Sequence, residues 1–189
     1  VTALSGYMNA RDSLVEFNSP STIPNISFHV LIADPVRAFA DKDYGGLYNR
    51  NFVTIDEFDR ILQQLYLNNY VLVDYDSFIT KSADLDGNQV YMKNSIYLPE
   101  GKKPLVITQT HVNYNIFMTD GDGDKLPDKD GAGFASKLVL DEANNLVNEY
   151  VDRDGNVQIG DYDLIPILNS FIKANLNFSY QGAKAVIAV

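Results

Sequence analysis

Residues 120–130 read DGDGDKLPDKD, the densest acidic stretch of the chain. Carboxylates at alternate positions of a glycine-containing loop can turn inward around one hard cation. Calcium takes such oxygen ligands, with a backbone carbonyl at the seventh position. Asp120, Asp122, Asp124, Leu126 (through its carbonyl) and Asp128 stand at the first, third, fifth, seventh and ninth places of such a loop. Four carboxylates this close repel one another unless a cation offsets them. Two places depart from a full calcium loop. Lys125 stands where a glycine makes the sharp turn, and Gly131 where a bidentate glutamate closes the cage. The alternative reading is a solvated acidic turn.

The chain has two histidines and no cysteine. That excludes disulfides, thiolate zinc sites and a cysteine nucleophile. His29 sits inside the apolar run ISFHVLIA (26–33), and His111 just beyond the run LVIT (105–108). If both runs are parallel strands, the loops at their C-terminal ends build one site, and both imidazoles can face it. Otherwise His29 is a hydrogen-bonded core residue and His111 an ordinary loop residue. Tyr44, Tyr48 and Tyr114 offer ring faces that can stack on a ligand or simply pack. Asp84/Asp86 and Asp152/Asp154 adjoin Gly-Asn pairs and read as turn chemistry.

The elements that must position these residues follow from periodicity and punctuation. Residues 4–17 suggest a short helix, and Asn18-Ser19-Pro20-Ser21 a linker, so 1–23 reads as an appendage to a main unit over 24–189. Residues 26–33 read as a buried strand ended by Asp34-Pro35, with a long loop over 37–52. Thr54 and Glu57 form a capping box for a helix over 54–67, whose Ile55, Phe58, Ile61, Leu62 and Leu65 share one face. A short strand over 70–73 and a helical turn over 76–80 follow. Asp86-Gly87-Asn88 and Asp154-Gly155-Asn156 mark hairpins, and Pro99-Glu100-Gly101 a turn. A helix spans 163–175, with Pro166 tolerated in its first turn. Residues 185–189 (AVIAV) form a last apolar strand, whose open edge calls for a partner beyond Val189.

Composition narrows the function. A net charge of −10 disfavours nucleic acid and anionic membrane surfaces as partners. With 46% hydrophobic residues the chain can build a core. No apolar run reaches the roughly 20 residues that span a bilayer. Neither an internal repeat nor a signal-peptide pattern is evident, although the chain begins at Val1.

Four stretches resemble NodB-type polysaccharide deacetylases in order and spacing. They are ISFHVLIADP (26–35), FVTIDEFDRILQQLYLNNYVLV (52–73), YLPEGKKPLVITQTHVNY (97–114) and YDLIPILNSFIKANLNFSYQGAKAVIAV (162–189). The resemblance covers residues 24–189. It implies an α/β fold, a partial (β/α) barrel with inserted β-hairpins, its remainder supplied by a missing C-terminal half. It also implies zinc or another divalent metal held by an Asp and two His, with a second Asp as base, removing acetyl groups from polysaccharide or peptidoglycan. Thr110 stands at the family's base position and His111 at its metal-Asp position; His29 matches a histidine near the site. The family's His-x3-His pair is absent. The chain alone is therefore expected to be inactive. The alternative is a non-catalytic carbohydrate-binding or calcium-stabilised structural domain. Either reading implies an extracellular or envelope-associated bacterial protein. The loop at 120–128 is similar to calcium loops of the thrombospondin-repeat and dockerin type.

Overall fold

The computed structural model describes residues 13–188. In chain order the elements are β1 (Leu14–Phe17), β2 (Asn25–Phe28), α1 (Pro35–Ala40), α2 (Gly45–Asn51), α3 (Ile55–Leu67), β3 (Tyr70–Leu72), β4 (Ile79–Ala83), β5 (Gln89–Lys93), β6 (Ile96–Pro99), β7 (Lys103–Thr110), α4 (Ile116–Thr119), β8 (Lys137–Leu140), β9 (Leu146–Val151), β10 (Val157–Gly160), α5 (Leu164–Ala174) and β11 (Val186–Ala188). Single 3-10 turns lie at Pro20–Thr22, Tyr75–Ser77 and Leu176–Phe178.

β7 is the hub. It pairs in parallel with β2, β3 and β11. Its near-continuous apolar run is explained by burial on both faces. Leu105 and Ile107 pack with Phe58 and Leu62 of α3 and Leu164, Leu168 and Ile172 of α5. Val106 packs on the other side with Val71, Phe78, Ile96 and Leu98. A further cluster forms around Tyr48, Met118 and Phe134.

The expected (β/α) barrel is not formed. A barrel needs each strand followed by a helix and paired with the next. Here β2 and β3 both pair with β7, and β4, β5 and β6 intervene between β3 and β7 where a crossover helix would be needed. The remaining strands pair antiparallel in separate small sheets: β1 with β6, β4 with β5, and β8, β9 and β10 together. Among the described residues no ring closes, and the architecture is mixed α/β.

Local expectations fared better than the global one. Thr54 does cap α3, with Glu57 completing the box. Replacing Thr54 with alanine is expected to cost about 1 kcal/mol and lower Tm by roughly 3 °C, measured by circular dichroism. The strand at 26–33 ends early: the chain leaves the ladder after Phe28, and only Ile32 bridges again, to Thr54 and Phe134. The expected loop at 37–52 holds two helices, α1 and α2. Asp34-Pro35 stops the apolar run and also starts α1, because the Asp34 carboxylate accepts from the Val36 and Arg37 amides. Of the helix expected over 4–17, Leu14–Phe17 forms β1 instead, held to β6 by edge pairing; residues 4–12 lie outside the described part.

The hairpins are built alike. Asp84, Asp141 and Asp152 each accept with one carboxylate oxygen from the amides two and four residues on. This shared turn pins the register of three hairpins. No helix among the described residues is long and apolar enough to cross a membrane.

Candidate functional site

The parallel pairing of β2 with β7 brings the C-terminal ends of both strands together. His29 follows β2 and Thr110 ends β7. Thr110 Oγ1 lies 3.3 Å from His29 Nδ1 and 3.3 Å from the Phe28 carbonyl oxygen. The rings of His29 and His111 are 5.2 Å apart, and His29 lies 5.1 Å from the ring of Phe52. Both imidazoles line one cavity of about 320 Å³, together with Tyr44, Phe52, Asn115 and Phe117.

The donor set falls short of the zinc centre that the resemblance implies. Two imidazoles converge, but a catalytic zinc uses three protein ligands, and among the described residues no carboxylate lines this cavity. Among the described residues the one group of three or more metal-capable side chains is elsewhere, at Asp120, Asp122 and Asp124.

The three candidate tyrosines separate. Tyr44 is 42% exposed, and its ring lies 5.4 Å from that of Phe117, itself 49% exposed. This pair presents apolar ring surface to solvent beside the histidines. Tyr48 is fully buried, edge-on to Phe52 and Phe134. Among the described residues its hydroxyl has no hydrogen-bond partner, and burial pushes its pKa up. Tyr114 turns inward. Its hydroxyl donates to Asp163 Oδ2 at 2.9 Å and accepts from Asn148 Nδ2 at 3.0 Å.

Asp163 was not singled out by the sequence, yet it organises this region. It is fully buried at the start of α5. Its carboxylate also accepts from the Leu31 amide at 2.8 Å and from Gln109 Nε2 at 2.9 Å to each oxygen. Burial raises its pKa, and hydrogen bonds led by that of Leu31 pull only part of the way back. An aspartate opening a helix is ordinary in sequence, so nothing there signalled its burial.

The acidic loop begins where α4 ends, and Asp120 closes that turn by donating its amide to Ile116 O at 2.8 Å. Asp120, Asp122 and Asp124 each offer a carboxylate oxygen, all within 4.8 Å of one another. The Asp120 carboxylate accepts from the Gly123 and Lys125 amides, and the former is the main cause of its lowered pKa. Asp128 points back into its own turn, accepting from the Asp130 and Gly131 amides at 2.7 and 2.8 Å. The side chain of Leu126 is exposed. Gly131, the departure from the glutamate of a full calcium loop, has a backbone reason. A Cβ there would lie 2.3 Å from Thr119 O. Asp120, Lys129 and Asp130 line a second cavity of about 730 Å³ that shares Tyr44 and Phe117 with the histidine cavity.

No protein-family model, curated protein or solved structure matches the chain.

Proposed function

We propose that the chain is a non-catalytic carbohydrate-binding domain of an extracellular or envelope-associated bacterial protein. The observation that carries this reading is the cavity that gathers His29, His111, Tyr44, Phe52 and Phe117 with no carboxylate of the described residues on its walls. Exposed aromatic faces suit the apolar faces of sugar rings, and a few ring nitrogens and amides suit hydroxyls. Thr110, at the place of a catalytic base, has a hydroxyl that takes up no proton at neutral pH. The resemblance to polysaccharide deacetylases contributes the ligand class, an acetylated polysaccharide or peptidoglycan fragment. A calcium ion at Asp120, Asp122 and Asp124 would brace the neighbouring wall, since three clustered carboxylates repel one another without it.

Titration calorimetry with chitooligosaccharides and peptidoglycan fragments tests the reading. Saturable binding is expected, weakened about tenfold by Tyr44→Ala through loss of ring stacking. Absence of heat with every ligand sinks the binding reading; acetate release on adding zinc or cobalt sinks its non-catalytic part. Calcium at 100 times its dissociation constant is expected to add about 2.7 kcal/mol of stability relative to chelator. An unmoved Tm removes the ion.

A further inference from the structure

Residues 111–114 join β7 to α4, and their backbone is unusual at both ends. His111 has φ 58° and Tyr114 φ 43°, in the left-handed region that side chains other than glycine rarely adopt. Such conformations persist where the surroundings over-determine them. Ladder hydrogen bonds do not supply that restraint: among the described residues, 112–114 make no backbone hydrogen bond. The anchor is a side chain. The Tyr114 hydroxyl is held between Asp163 and Asn148, both fully buried, one at the start of α5 and the other on β9. Asp163 is in turn fixed by Leu31 and Gln109, so the anchor point belongs to the rigid centre of the fold. The residues on either side of the segment, His111 on one end and Asn115 and Phe117 on the other, are walls of the histidine cavity.

We propose that Tyr114 is a positioning residue, whose hydroxyl latch on Asp163 and Asn148 sets His111 against His29 and thereby shapes the cavity. Tyr114 does not touch a ligand in this arrangement; it acts through the backbone it holds. Freed of the latch, the segment relaxes towards ordinary backbone angles and His111 swings away. The proposal rests on the carbohydrate reading only for what the cavity binds.

The test uses the chain's two histidines, whose Hε1 ring protons give two proton NMR signals assignable with His29→Gln. In the wild-type chain a ring-to-ring Overhauser effect is expected between His29 and His111. In Tyr114→Phe that effect is expected to vanish and the His111 signal to move, while His29 stays. Asp84→Ala serves as the control, loosening the β4–β5 turn, whose residues line no part of the cavity, without moving His111. Should Tyr114→Phe fail to fold, Asn148→Ala removes one half of the latch and is expected to shift the same signal. An unchanged His111 signal and intact ring-to-ring effect in a folded latch variant overturn the proposal. Loss of sugar binding by the wild-type chain would overturn the carbohydrate reading instead and leave these spectra untouched.

Discussion

Asp163→Ala is expected to cost about 3–5 kcal/mol of stability. The change removes one acceptor from donors on three separate parts of the chain: the Leu31 amide, the Gln109 amide group and the Tyr114 hydroxyl. Each buried donor left unpaired costs roughly 1–3 kcal/mol, partly offset by no longer burying a carboxylate. Asp163→Asn keeps the shape and one acceptor, and is expected to lose only about 1–2 kcal/mol. The two variants also separate by pH. Burial raises the Asp163 carboxyl, so its contribution to stability is full below the unfolded carboxyl's pKa of about 3.9 and falls as pH rises through the higher folded value. Asp34 and Glu57 are held below the usual range and act in the opposite sense, their contribution being lost as pH falls. The difference between wild type and Asp163→Asn cancels those groups. It is expected to shrink as pH rises above the acid range, measured by urea unfolding followed by circular dichroism, since the chain has no tryptophan. A constant difference across pH would mean that Asp163 titrates alike in the folded and unfolded chains.

What the sequence made legible was local. Thr54 and Glu57 signal the start of α3 because both partners of the capping box lie within one turn. The Asp-Gly-Asn turns signal two hairpins, and the third, built on Asp141, uses the same carboxylate bonds without the glycine. Pairing between distant strands was not legible. The apolar runs at 26–33 and 105–108 fit a barrel, and nothing in their residues tells that β2 skips β3 to lie on β7. The site shows the same division. A common pocket for His29 and His111 was one of the readings open in sequence, with His29 placed in one strand and His111 just beyond another, and the grouping of Asp120, Asp122 and Asp124 followed from their spacing. The inward turn of Tyr114 could not. Its partners lie 34 and 49 residues away, and a tyrosine that anchors a segment looks in sequence like one that stacks on a ligand. Asp128 illustrates the limit of spacing arguments: it has the ninth place of the loop but spends its carboxylate on backbone amides.

The second large effect is expected at Asp34, where Asp34→Ala should cost roughly 3–4 kcal/mol. The carboxylate is 5% exposed and does three things at once. It caps α1, grips Arg153 through two bonds of 2.5 and 2.6 Å, and lies 3.3 Å from Arg37 Nε. Burial alone would raise its pKa, but the Arg153 hydrogen bonds, the Arg37 amide and both guanidinium charges outweigh that and lower it. Arg37 makes the loss expensive. Its side chain is 12% exposed, over the ring of Tyr150, and it holds the carbonyls of Lys129 and Val151. Without Asp34 this cation is buried with no counter-charge, and the link from α1 to the acidic loop at Lys129 loses its support. Arg153, 58% exposed, can return to water, so Arg153→Ala is expected to cost far less. Asp34→Asn separates the roles, because the amide oxygen still caps α1 but brings no charge. If Asp34→Asn costs nearly as much as Asp34→Ala in urea unfolding, the ion pair with Arg37 carries the stability. If it costs little, the helix cap does, and Arg37 is satisfied by the carbonyls and the Tyr150 hydroxyl alone.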